Sequence, residues 1–170
     1  MSLRLLLELE FLLRILVAGV FSAALGWERE QAGKPAGFRT HIIVGIAATL
    51  FVITGILAVE TQAMASVVTN VDPTRTIHAI AVGIGFLGGG VVFVSRKTDR
   101  VEGLTTAASV WATAGVGVAT GYGLYLLATG TTVVLLIVLH KMKGLDRSSD
   151  AMAERAARGE GEGGPGRRDE

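Results

Sequence analysis

The sequence predicts an all-α membrane protein, a bundle of about five transmembrane helices, on three observations. Of its 170 residues 50% are hydrophobic and only 18% charged, and the mean hydropathy is +0.52, too apolar for an ordinary soluble domain. The charges collect in short intervals between uncharged runs long enough, or nearly so, to cross hydrocarbon. The 23 Gly against three Pro suit glycines inside packed structure better than a linker. Cysteine is absent, which excludes disulfides, thiolate zinc sites, iron–sulfur clusters and a cysteine nucleophile. Sixteen Lys and Arg against fifteen Asp and Glu leave a net charge of +1. No basic field gathers nucleic acid, and the expected surroundings are lipid.

The first crossing spans about residues 5–27. Its uncharged part is 15–27, extended backwards if Glu8, Glu10 and Arg14 lie near an interface or face other helices. Ser22-Ala23-Ala24 resembles a signal-peptide cleavage site. Against that, Glu8 and Glu10 cancel Arg4 and Arg14, whereas a signal opens basic and continues uninterrupted. The second crossing is 42–59, and the third is 76–95, holding a neutral His78. From 103 to 139 no charge occurs, too long a run for one crossing. Gly121-Tyr122-Gly123 supplies the turn and divides it into 104–120 and 124–140. Each half is short at about 1.5 Å per residue, so little tilt or a thin bilayer is expected.

Lys and Arg set the orientation. Arg29, Lys34 and Arg39 lie in the first connection, Arg96, Lys97 and Arg100 in the third, and Lys141, Lys143 and Arg147 after the fifth crossing. These three belong in the cytoplasm, which places the N-terminus outside and the C-terminus inside. Residues 144–170 mix both charge signs with glycine and read as a disordered cytoplasmic tail. A shift of 66 residues superposes Gly19, Lys34, Gly37 and Thr40 on Gly85, Arg100, Gly103 and Thr106. That relation suggests two parallel helix-hairpin repeats followed by a fifth helix.

The first cytoplasmic loop, Gly26-Trp27-Glu28-Arg29-Glu30 through Lys34 to Gly37-Phe38-Arg39-Thr40-His41, has several readings. Trp27 and the basic residues are interface anchors in one, with Glu30 paired to Lys34. In another, Glu28 and Glu30 join a network with Arg29 and Arg39. In a third, the two carboxylates bind a hydrated Mg²⁺, which needs few protein ligands. His41 has no companion at a metal-ligand spacing, and a hydrogen-bonding role suits it better. Gly83-Ile84-Gly85-Phe86-Leu87-Gly88-Gly89-Gly90 contains a dinucleotide-type glycine pattern. It lies inside an uncharged run and not at a strand-to-helix turn. Close helix packing, as through Gly85-x-x-x-Gly89, or a broken helix exposing carbonyls, is the better account. Gly117-x-x-x-Gly121 reads as packing too. Asp72-Pro73 resembles a helix cap, and Arg75 either snorkels to headgroups or pairs with Asp72. Thr105 and Thr106 open the fourth crossing. No nucleophile and base are paired anywhere, so no enzyme is expected.

These motifs jointly resemble the membrane domain of the MgtC/SapB family. The resemblance rests on Gly26-x-Glu28-Arg29-Glu30 with Lys34, Gly37, Arg39, Thr40 and His41; on Asp72-Pro73-x-Arg75; on the glycine run 83–90; and on Gly103-Leu104-Thr105-Thr106-Ala107-Ala108-Ser109-x-Trp111. Together they cover about residues 10–140 in order. The resemblance implies a multi-pass bacterial inner-membrane protein, linked to growth in low magnesium and, in pathogens, to survival inside host cells. It implies a non-enzymatic modulator acting through other membrane proteins such as the proton-driven ATP synthase. A small transporter or channel for Mg²⁺ or another cation is the alternative. Longer members carry a folded cytoplasmic domain where this sequence has its polar tail. The expected functional network comprises Glu28, Arg29, Glu30, Lys34, Arg39, Thr40 and His41 beside Asp99, Thr105 and Thr106, with Asp72, Arg75 and Trp111. Glycine-rich crossings on short helices suggest a homodimer or higher oligomer.

Topology is directly testable in this cysteine-free chain. A single cysteine at Tyr122 should react with an impermeant maleimide from outside intact cells, whereas one at Lys34 should not. Outside labelling at Lys34 would overturn the orientation.

Overall fold

The computed structural model describes residues 2–64, 72, 74–95 and 100–141. Among these the apolar runs form five helices: α1 (Ser2–Gln31), α2 (Phe38–Met64), α3 (Thr74–Gly89), α4 (Leu104–Gly121) and α5 (Tyr125–Lys141). Asp99 and the expected tail at 144–170 lie outside the described residues. Residues up to Leu136 form one compact unit. Of the second unit, which begins at Ile137, residues 137–141 at the end of α5 are described.

Each boundary follows from local chemistry. α1 ends where Gly33 adopts a left-handed conformation at φ 66°. The Lys34 N–H then donates to the Arg29 carbonyl at 3.1 Å, satisfying a carbonyl at the helix end. α4 ends the same way: Gly123 has φ 76°, and the Leu124 N–H donates to the Ala119 carbonyl at 2.9 Å. The expected turn at 121–123 is thus a glycine-closed helix end.

The third element departs from expectation. The helix stops at Gly89 instead of continuing to 95, because three consecutive glycines end it and the valines and phenylalanine that follow favour extended backbone. Phe93–Ser95 forms β1 and pairs antiparallel with β2 (Arg100–Glu102), Phe93 opposite Glu102 and Ser95 opposite Arg100. Gly103 returns the chain to α4 at φ 89°; a Cβ there would lie 2.2 Å from the Val91 carbonyl oxygen. The two connections that the 66-residue shift superposes are therefore built differently, one a short glycine turn and one a β-hairpin.

α2 lies between α1 and α4, and missing side chains set how closely it approaches them. A Cβ on Gly45 would overlap the Ser22 side chain of α1, and a Cβ on Gly117 of α4 would fall 2.5 Å from the Gly45 carbonyl oxygen. Gly121 backs onto Val52 in the same manner, its Cβ position 2.8 Å from the Val52 Cβ. The Thr49 hydroxyl donates to the Gly117 carbonyl at 2.8 Å. Val44, Ala48, Val52, Val110 and Ala114 complete this seam. Gly117-x-x-x-Gly121 is a packing face, as its spacing suggested. A Cβ on Gly83, Gly85 or Gly89 would meet no other described part of the chain within 4 Å, whereas one on Gly88 would stand 3.5 Å from Ala107 of α4. Gly90 contacts its own preceding turn at 3.4 Å.

The distribution of polarity is unusual for a protein folded in water. Ser22, Thr49, Thr113 and Thr120 are fully buried, while Leu126 is 90%, Phe86 87% and Val82 74% exposed. Buried hydroxyls and glycines at the helix contacts, with large apolar side chains such as these outward, suit helices that associate without a hydrophobic driving force. By length and composition, residues Phe38–Thr61 of α2 are long and apolar enough to cross a membrane. α1 is longer but carries Glu8, Glu10 and Arg14, and α5 is shorter.

Gly117→Val should lower stability by about 1–3 kcal/mol through overpacking, whereas Gly85→Ala, facing open space in a helix interior, should be neutral or stabilising. Thermal unfolding in detergent checks the pair. Equal melting of both variants would remove the special role given to the α2–α4 seam.

Candidate functional site

The charged residues of the first loop converge at the end of the bundle where α1 passes into α2. Helical geometry brings α1 back against α2 here only because Gly26 has no side chain: a Cβ would lie 2.8 Å from the Phe38 Cα and 2.9 Å from the His41 Cβ. Trp27 packs edge-to-face on Phe38, ring centroids 6.0 Å apart. Arg29 is only 2% exposed, and its Nε donates to Glu28 Oε2 at 2.5 Å. An arginine this deeply buried is tolerable only with its charge matched, so Glu28 is its counter-ion. The other Glu28 oxygen, Oε1, is buried without a hydrogen-bond partner among the described residues.

Glu30 does something else. Its Oε2 accepts the Phe38 N–H at 2.8 Å, capping the otherwise unsatisfied first turn of α2 from the preceding helix. Gly37 leaves room for this, since a Cβ there would lie 2.9 Å from Glu30 Oε2. The two carboxylates expected to share a magnesium ion are thus committed to different partners, one to a guanidinium and one to a helix N-terminus. Residues two apart on a helix do not face each other. Among the described residues no group of three or more His, Asp or Glu is arranged to hold a metal ion.

His41 links this end to α4. The ring is fully buried; Nδ1 lies 2.8 Å from the Gly37 carbonyl oxygen, which makes Nδ1 the donor. Nε2 lies 3.2 Å from the Ser109 Oγ, whose hydroxyl donates to the Thr106 carbonyl at 2.8 Å. Thr106 is 1% exposed, and its own hydroxyl has no partner among the described residues. Arg29, Glu28, His41, Ser109 and Thr106 therefore form the buried part of the site.

The remaining expected residues are placed around it or elsewhere. Lys34, Thr40 and Thr105 are half-buried, and Arg39 and Trp111 are exposed. Asp72 and Arg75 are at the opposite end, where α3 begins. Asp72 Oδ1 accepts the Thr74 N–H at 2.9 Å and hydroxyl at 2.7 Å, the cap its sequence suggested. These hydrogen bonds hold the Asp72 carboxyl below the usual carboxylate range. Ser109 and Arg14 are not among the site residues expected from the sequence. Ser109 stands one turn after Thr106, a spacing that places both on one face of α4. Arg14 pairs with Glu10 and donates from Nη1 to the Gly121 carbonyl at 2.7 Å, capping the end of α4; no local signal connects positions 107 residues apart.

Glu30→Ala should destabilise the chain by about 1 kcal/mol, the usual value of a helix cap, and Glu30→Gln, which keeps a carbonyl oxygen for the Phe38 N–H, should recover most of it. Melting temperatures of the two variants in one detergent test this. No difference between Ala and Gln would show that the cap contributes nothing.

The family model for the MgtC family matches residues 15–148. YhiD of Escherichia coli strain K12, whose name refers to magnesium transport, is 37% identical over 134 residues, covering 76% of this chain and 59% of YhiD. SapB of Bacillus subtilis is 34% identical over 128 residues, 75% of this chain and 54% of that protein. MgtC of Salmonella typhimurium strain LT2 is 35% identical over 132 residues, 77% and 52% respectively. The chain spans a little over half the length of these relatives. No solved structure matches it. Aligned over the region that holds both the α1–α2 site and the α2–α4 seam, this chain belongs to the MgtC family.

Proposed function

We propose that this chain is a multi-pass inner-membrane protein that acts in magnesium homeostasis and adaptation to low Mg²⁺ as a non-enzymatic modulator of other membrane proteins. Membership of the MgtC family supports the magnesium context. The distribution of polarity, with Leu126, Phe86 and Val82 outward and Thr49, Thr113 and Thr120 inward, supports the bilayer as solvent. The observation that carries the reading is the buried Glu28–Arg29 pair beside His41. Its charges are matched to one another, and among the described residues no group of three or more His, Asp or Glu is arranged to hold a metal ion. A buried, matched pair of this kind supports a role in fixing helix positions over one in binding and releasing a cation.

A second reading is a small Mg²⁺ or other cation transporter or channel, which the name of YhiD favours. Flux separates the two. Glu28→Gln keeps an oxygen able to accept from Arg29 but leaves that buried guanidinium without its counter-charge, so membrane abundance is measured beside growth, and the double variant Glu28→Gln/Arg29→Gln, which removes both charges, controls for stability. Growth in low Mg²⁺ should then be lost, with no Mg²⁺ flux through parent or variant reconstituted in liposomes holding a fluorescent Mg²⁺ reporter. Parental flux that the substitution removes would favour the transporter. Full growth support by Glu28→Gln would return the site to interface anchoring and sink both readings.

A further inference from the structure

α3 packs on α4 but stands away from α2. The two helices meet at Gly55 and Thr76, where a Cβ on the glycine would lie 2.8 Å from the threonine hydroxyl. Cavities open on both sides of this pinch. The larger, about 680 Å³, runs between α2 and α3 from Gly55 to Val44 and is walled by Ala47, Phe51, Ala79 and Ile80 among others. The eleven helical steps of α2 between Val44 and Gly55 make it roughly 16 Å long at about 1.5 Å per residue. The smaller, about 420 Å³, continues past Ile56 and Val59 towards Tyr122. Gly55, Arg75 and Thr76 line both.

The charges are at the junction alone. Among the described residues, Arg75 is the only ionised side chain on the wall of the larger cavity, and Arg75 with Asp72 the only ones on the smaller. No ion pair joins Arg75 to a carboxylate among the described residues; Asp72 senses its charge but turns Oδ1 to Thr74. Arg75 also sits in the first turn of α3, the end of a helix dipole that favours an anion and disfavours a cation. A cation there, at the mouth of an apolar groove, calls for an external anion attached to an apolar chain. A free phosphate satisfies the first half and leaves the groove empty. A neighbouring carboxylate adds a place for a positive charge.

We infer that the α2–α3 groove is a site for one zwitterionic aminophospholipid: an acyl chain along the groove, the phosphodiester on the Arg75 guanidinium, and the ammonium on the Asp72 side. The inference rests on the membrane reading above. It makes α3, which stands away from α2, a lipid-bridged element of the bundle, and bidentate guanidinium–phosphate contact supplies the selectivity.

The test is quantitative lipid extraction and mass spectrometry on the full chain, purified in mild detergent from cells containing both phosphatidylethanolamine and phosphatidylglycerol. The parent should retain phosphatidylethanolamine at about one per chain. Arg75→Gln, which removes the phosphate contact, and Ala79→Phe, which fills the groove, should each reduce retention by roughly tenfold or more, the scale of one lost charge-assisted contact. Val82→Phe, on the outward side of the same helix, should retain lipid like the parent and so controls for folding. Asp72→Asn should shift the retained lipid towards phosphatidylglycerol. Undiminished retention in Arg75→Gln, equal retention of the two lipids by the parent, or efficient cross-linking of two copies through a cysteine at Ala79 would each overturn the site. Parent chain found in membranes but without retained lipid overturns this inference alone, whereas parent chain found in the soluble fraction overturns the membrane reading.

Discussion

The close approach of α2 to both its neighbours is the constraint on which the rest depends. Gly45 presents bare backbone in two directions, to Ser22 of α1 and to Gly117 of α4, so three helices come together with no large side chain between them. Once the backbones are that near, hydrogen bonds that longer separations forbid become available, and Thr49 reaches the Gly117 carbonyl across the seam. In a medium where lipid is as apolar as leucine, van der Waals contact and such hydrogen bonds replace the hydrophobic effect as the source of association.

The hydroxyls buried among the apolar residues of this interior are mostly satisfied within short range. Thr113 and Thr120 return their hydroxyl protons to carbonyls one turn earlier in α4, the usual way a hydroxyl is accommodated in a buried helix. The exceptions among these hydroxyls, Ser22 Oγ and Thr106 Oγ1, belong to different helices. Thr106 belongs to the same region as Arg29 and His41, whereas Arg14 Nε, also without a partner among the described residues, lies at the other end, where Arg14 meets Gly121.

Charged side chains here serve as fasteners between elements. Arg14 ties α1 to the end of α4, Glu30 ties α1 to the start of α2, and Glu28 neutralises the arginine buried beside them. Among the described residues α3 has no such fastener to α2, relying on Gly88 against Ala107 of α4 and on the Gly55–Thr76 contact. The family assignment covers these positions from residue 15 onward.

Local chemistry by itself determined the helical class, the division of the long apolar run at Gly121–Gly123, the cap at Asp72 and the grouping of charges near Glu28. Each depends on residues a few positions apart, where propensity, turn geometry and charge act directly. The same logic failed at residues 90–95, because a short apolar run of β-branched residues has no periodicity that separates a helix from a strand. Only the tertiary structure decided that His41 meets Ser109, that Arg14 caps α4, and that Glu28 and Glu30 part company. Those outcomes hang on which faces of α1, α2 and α4 are brought together, and the glycines that set them are distinguished from Gly83, Gly85 and Gly89 by what stands opposite, which no single segment records. Pairings between positions 68 and 107 residues apart are properties of the crossing of helices, and the crossing exists only in the folded chain.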